Sequence, residues 1–193
     1  MMLSGKEILK EMENGNIKIS PFNENQLNPN SYNLRLADEL LIYDKPYHCE
    51  GIKCNGMVAP GPYTFMEPID MFDHNPTKII PIPKEGFTLY PGILYLGRTI
   101  EHTETHNFIP CIDGRSSIGR LGINVHATAG FGDVGFCGTF TLEISVIQPV
   151  VIYPNVEICQ IYYQEVKGDV EEYHGKYQNQ LSPVASRMYE EYK

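Results

Sequence analysis

Short runs of alternating apolar and polar residues, each closed by proline or glycine, constrain this chain most. Lys78 to Pro83, Phe87 to Tyr90, Ile93 to Thr99, Thr139 to Val146, Val150 to Tyr153 and Ile158 to Val166 all read this way. Pro91-Gly92 and Pro154-Asn155 stand between neighbouring runs as turns. A period of two puts alternate side chains on opposite faces, which is the signature of a strand. Ser31 to Leu36 and Leu40 to Tyr43 add two earlier strands. Many short strands broken by Pro and Gly predict an all-β barrel or sandwich.

The clearest helix lies before these strands. Ser4 can cap it, with Glu7 three residues on as a capping-box partner, and Gly15 ends it. Ile8, Leu9 and Met12 fall on one face, which suits a terminal helix packed on a sheet. Glu101 to Asn107 places His102 and His106 at helical spacing, and we read them as exposed histidines rather than metal ligands. A length of 193 residues fits a single domain, 1–193. Asp44 to Asp73 interrupts the pattern with Pro46, Pro60, Pro62, Pro68, Gly51, Gly56 and Gly61, and reads as a loop-rich insertion over one end. Residues 170–193 are polar and aromatic, too polar for a core. Two readings stay open there: a disordered terminus, or a lid that brings Lys176 and Gln180 to a bound phosphate.

Composition removes several function classes. A net charge of −9 argues against nucleic-acid binding, which needs a basic face. No apolar run is long enough to span a membrane, and the N-terminus lacks an apolar signal core. Five cysteines without a C-x-x-C pair suggest reduced thiols and a cytoplasmic protein. His48-Cys49-Glu50 has the H-x-E spacing of zinc deaminases. Those enzymes also need P-C-x-x-C, and Pro110-Cys111 has no second cysteine, so we expect no zinc at His48, Cys49 or Cys54.

The chemistry concentrates between Arg115 and Glu143. Arg115, Ser116, Ser117 and Arg120 fall within six residues and offer the cations and hydroxyls that suit a polyphosphate. Asp133 follows in a Gly-rich turn. Glu143 sits on the alternating strand between Leu142 and Ile144, an environment that suits proton transfer. Gln160, on a later strand, could face the same pocket. Read alone, Glu143 is better taken as a surface-facing residue on an alternating strand. GxxxxGK[ST] does not occur.

RSSIGRLGINVHATAGFGDVGFCGTFTLE resembles the signature of the dCTP deaminases, zinc-free enzymes that share the trimeric dUTPase fold. NPNSYNLRL, LYPGILYLGRTIE and KYQNQLSPVASR resemble other segments of the same family. The resemblance implies a distorted β-barrel or jelly-roll with a few short helices. It implies that Glu143 is the general base and acid, that Ser116 and the main-chain carbonyl of Ala129 position the water, and that Arg120 keeps Glu143 ionised. Arg115 and Ser117, with Ile118 and Gly119 beside them, would form the phosphate-binding stretch. Asp133 would contact the 3′-hydroxyl, and Thr141 and Leu142 would lie along the base. Tyr173, Lys176 and Gln180 would close from the tail over the triphosphate with Mg²⁺. A homotrimer with sites between subunits, and dTTP as a feedback inhibitor, are implied in the same way.

The family divides by product. Some members release dUTP and ammonia, while others also cleave between the α and β phosphates to give dUMP and diphosphate. Deamination to dUTP is the primary expectation here. Thr128-Ala129-Gly130-Phe131 before Asp133 resembles the dUMP-forming type, with Gly130 leaving room for a water near the α-phosphate. Gly132 and Val134 depart from the usual pattern. A dUTP diphosphatase without deaminase activity is a further reading, as is a non-catalytic nucleotide sensor. The set of Ser116, Arg120 and Glu143 argues against the sensor, because a pure binder has no need of an acid–base group.

Overall fold

A computed structural model of the chain describes residues 1–45 and 67–192. Between them it describes only the backbone pairing of four short strands. These pair as Tyr47–Cys49 with Thr64–Met66 and Ile52–Cys54 with Met57–Ala59. The side chains of His48, Cys49 and Cys54 lie outside the described residues.

The fold is mostly β, with short helices. The helix Gly5–Glu13 begins where Ser4 accepts the Glu7 N–H at 3.2 Å. The reciprocal half of the capping box is not made, because the Glu7 carboxylate takes the Lys10 ammonium at 2.8 Å instead. Ile8 is fully buried beneath the helix, and Gly15 turns the chain at φ +81°.

Five antiparallel strands form the largest sheet, in the order Ile123–Asn124, Thr141–Val146, Tyr95–Arg98, Glu39–Tyr43, Thr77–Pro81. A second sheet sets Glu157–Glu165 between Phe108–Gly114 and Tyr32–Arg35. A third sets His102–Thr105 between Ile17–Ser20 and Cys137–Gly138. A two-stranded ladder joins Phe87–Leu89 to Val150–Ile152. One apolar core serves all of them, with Leu34, Leu40, Leu89, Leu142, Ile144 and Ile161 among its most buried side chains.

The segment around His102 corrects the helical reading. Thr103 and Thr105 are buried while His102 and Glu104 are half-exposed, a period of two. The i,i+4 spacing of the two histidines fits either period. The β-branched threonines facing the core decide for the strand.

Candidate active site

The pleat of Thr141–Val146 sorts its side chains. Leu142, Ile144 and Val146 enter the core, and Thr141, Glu143 and Ser145 lie on the opposite face. Such a face is commonly wet in an antiparallel sheet. Here Leu96, which is Glu143's register partner, joins Leu41 and Tyr43 in a second apolar cluster, and Ala185 of the tail packs against it. The tail therefore roofs this face of the sheet. A cavity of about 440 Å³ remains, bounded by Leu96, Asp133, Phe136, Phe140, Thr141 and Glu143 from the body and by Tyr173, Tyr177 and Gln180 from the tail.

Glu143 is half-buried in that wall. Its Oε2 accepts the Ala127 N–H at 2.8 Å, which fixes the carboxylate by one oxygen. Oε1 has no hydrogen-bond partner among the described residues. A carboxylate held by one oxygen, in a cavity walled largely by apolar groups, can take a proton from a water.

Main-chain bonds hold the tail in place. The Tyr173 N–H donates to the Val134 carbonyl at 2.7 Å and the Asn179 N–H to the Cys137 carbonyl at 2.7 Å. The Thr139 N–H donates to the Gln180 carbonyl at 2.9 Å, and the Gln180 amide returns a bond to the Thr139 carbonyl at 2.7 Å. Two glycines make this approach possible. A Cβ on Gly135 (φ +84°) would lie 2.8 Å from the Glu172 Cβ, and one on Gly138 (φ +148°) 2.8 Å from the Gln180 carbonyl oxygen. Replacing Gly138 by Val adds that clash to backbone strain of about 1–3 kcal/mol. Gly138→Val should release the tail, read as several-fold faster tryptic cleavage after Lys176 and Arg187 with the body left intact.

A family model for dCTP deaminase-like proteins matches residues 2–166. The chain belongs to this family. A protein named "dCTP deaminase, dUMP-forming" from Hathewaya histolytica is 50% identical over 194 residues, covering 100% of both sequences. Proteins of the same name from Clostridium beijerinckii and Leptospira biflexa are 49% and 50% identical, covering 100% of this chain and 99% of their own. The crystal structure of the 2′-deoxycytidine 5′-triphosphate deaminase from Agrobacterium tumefaciens matches with a TM-score of 0.58 at 19% identity. That match covers 86% of this chain, which spans about half (48%) of the solved one. At that identity the likeness carries the fold.

The structure divides the expected site residues into two groups. Glu143, Asp133, Thr141, Tyr173 and Gln180 share the cavity. Arg115, Ser116, Ser117, Ile118, Gly119 and Arg120 do not line it within the same copy. Ser116–Gly119 forms one helical turn, packed on the edge strand Ile123–Asn124 that flanks Ser145–Val146. Ser116, Ser117 and Arg120 are exposed, with no side-chain partner among the described residues. Arg115 is held by Glu157, through the carbonyl at 2.8 Å and the carboxylate at 3.1 Å.

Four of the expected residues do not line the Glu143 cavity within one copy. Gln160 does not face the Glu143 cavity. It accepts from the Ser31 hydroxyl at 2.8 Å and donates to the Gly114 carbonyl at 3.1 Å, so it braces the turn that carries Arg115. The Leu142 side chain is in the core, because the pleat sends it away from Glu143, and leaves its main chain alone for a base. Lys176 is turned from the cavity toward the Arg187 carbonyl (3.0 Å) and the Glu191 carboxylate. Gly130 borders a separate cavity of about 430 Å³ with His126 and Phe131, and a Cβ there would come within 3.2 Å of the His126 ring. A side chain there would crowd that ring and the Ile112 carbonyl, 3.3 Å away. Ala129 is exposed on the same loop.

Sequence reasoning missed Tyr43, Leu96, Phe136, Phe140, Tyr177 and Val184 to Ser186 as cavity walls. Tyr43 and Leu96 reach it from strands distant in sequence, Phe136 and Phe140 from either side of Cys137–Gly138, and the others from the tail. The i,i+4 pair Tyr173 and Tyr177 was the available signal, since the Tyr177 N–H donates to the Tyr173 hydroxyl at 3.2 Å.

Proposed function

We propose that this chain hydrolyses dCTP to dUMP, diphosphate and ammonia, with Glu143 activating the water that attacks C4 of cytosine. The observation that carries this reading is Glu143 itself, tethered by one oxygen in a roofed cavity of nucleoside size. The full-length relatives named dUMP-forming move the second hydrolysis ahead of simple release of dUTP.

Two waters are consumed. In the first step Glu143 takes a proton from a water while its oxygen bonds to C4. The proton then passes to N3, the C4–N4 bond breaks, and ammonia leaves with a proton delivered through Glu143. Phe136, Phe140 and Leu96 keep bulk water from the base. In the second step a water attacks the α-phosphorus and diphosphate leaves, with Asp133 on the cavity wall the carboxylate available to orient it.

Phosphate charge calls for the cations of the Arg115–Arg120 turn. The exposure of Ser116 and Arg120, and their lack of side-chain partners among the described residues, support a site completed between copies, with Ser116 and Arg120 of one subunit meeting Glu143 of the next in a homotrimer. Mg²⁺ fits as a passenger on the triphosphate, because no cluster of three His, Cys, Asp or Glu among the described residues would hold it alone. Such an ion offsets phosphate charge, and Asp133 is the carboxylate beside Glu143 on that wall. dTTP shares the sugar and phosphates but has no 4-amino leaving group, so it would occupy the site without being deaminated.

Incubation with dCTP and Mg²⁺, followed by chromatography, tests the reading. Ammonia, dUMP and diphosphate in equal amounts support it. Ammonia with stable dUTP would leave a simple deaminase, and turnover of dUTP without dCTP a diphosphatase.

A further inference from the structure

His106 stands between two carboxylates. Its Nε2 is 2.7 Å from Oε1 of Glu104, two residues before it on the strand His102–Thr105, and its Nδ1 is 3.0 Å from Glu172 Oε1 at the start of the tail. We propose that His106 is a pH-operated clasp that fastens the tail to the body when it is an imidazolium and releases Glu172 when it is neutral.

The argument is one of proton count. A carboxylate can only accept, and a neutral imidazole carries one N–H. Both contacts are therefore satisfied only by the doubly protonated ring. When the ring loses a proton, one bare nitrogen faces a carboxylate oxygen. The Glu172 contact is the weaker of the two by distance. Glu104 is further neutralised by Lys18, whose ammonium is 2.9 and 3.0 Å from its two oxygens. Glu172 has no second cation among the described residues, and its side chain is half exposed.

The other charged and titratable groups nearby do not substitute for the ring. His102 and Cys137, on the same face of the small sheet, engage one another at 3.6 Å. The His106 N–H is taken by the Asn16 carbonyl, so the backbone holds the ring's base in place whatever its charge. Glu104 first, then Glu172, raises the His106 pKa above its ordinary value of 6.5. The sign follows: a raised folded-state pKa gives stabilisation that is complete at low pH and lost as pH rises through that value.

The clasp is placed where it reaches the cavity. Glu172 packs on the bare Cα of Gly135, and the next residue, Tyr173, donates to Val134 and lines the cavity. Loss of the Glu172 contact frees the tail at the point where it enters the roof.

Ring-proton NMR of the full chain gives the His106 midpoint. Hydrogen exchange of residues 168–180, corrected for intrinsic rates, is then followed from about pH 5.5 to about pH 8.5. Protection in the wild type should fall several-fold with the His106 midpoint. Glu172→Gln and His106→Gln should show low protection at every pH, while their unfolding midpoints in urea report an intact body. A pH-independent profile in the wild type, or an unchanged wild-type profile in Glu172→Gln, would overturn the proposal.

Discussion

Glu143→Gln is expected to abolish deamination while leaving nucleotide binding within about threefold of wild type. The amide keeps the shape of the carboxylate and loses its ability to take and return a proton. Loss of a positioned acid–base group removes about 10²–10⁴-fold in rate. The tether to Ala127 survives, because the amide oxygen can accept the same N–H that Oε2 now accepts at 2.8 Å. The substitution therefore separates chemistry from architecture. Single-turnover rates with dCTP and calorimetric affinity for the same nucleotide provide the two readouts. Turnover near wild type would remove Glu143 from the reaction, and lost affinity would assign it to binding instead.

The second large effect concerns the split between the cavity and the Arg115–Arg120 turn. Arg120→Ala and Glu143→Gln should each be inactive as pure proteins. Unfolded together and reassembled in equal amounts, they should regain about one quarter of wild-type activity. Each site in such a trimer needs an intact glutamate from one copy and an intact arginine from another, and random mixing supplies both at that frequency. Arg120 is exposed and its side chain makes no hydrogen bond or ion pair among the described residues, so its loss should leave the fold unharmed. A mixture as inactive as its parents would place all these residues in one subunit's site.

Much of this arrangement was legible before any coordinates. The Pro91-Gly92 break before Tyr95 and the alternation through Thr141–Val146 marked both segments as strands, because turn residues and a period of two are local properties. The helix start at Ser4 was equally local. His102 to His106 was ambiguous because four-residue spacing satisfies both a helix turn and every second position of a strand. The fate of Glu143 was not local at all. Its strand alternates as a solvated one does, and what dries the outer face is Leu41, Leu96 and Ala185, from three separate parts of the chain.

The tail shows the same limit. Its polarity fitted a disordered end as well as a lid, and what seats it is the absence of side chains at Gly135 and Gly138, which sequence offers no reason to pair with Glu172 and Gln180. Gln160 failed for a related cause. Its strand belongs to the sheet of Tyr32–Arg35, and register sends its amide to Ser31 and Gly114. The family resemblance implied a set of site residues, but one copy of the chain does not bring them all to one cavity.

Turnover of dCTP in ¹⁸O-labelled water tests the central claim most directly. The account predicts dUMP carrying a solvent oxygen at C4 of uracil, and a second solvent oxygen on the phosphorus cleaved in the same turnover. Glu143→Gln should produce neither label. Accumulation of dUTP with unlabelled phosphates, or labelled uracil formed at an undiminished rate by Glu143→Gln, would contradict it.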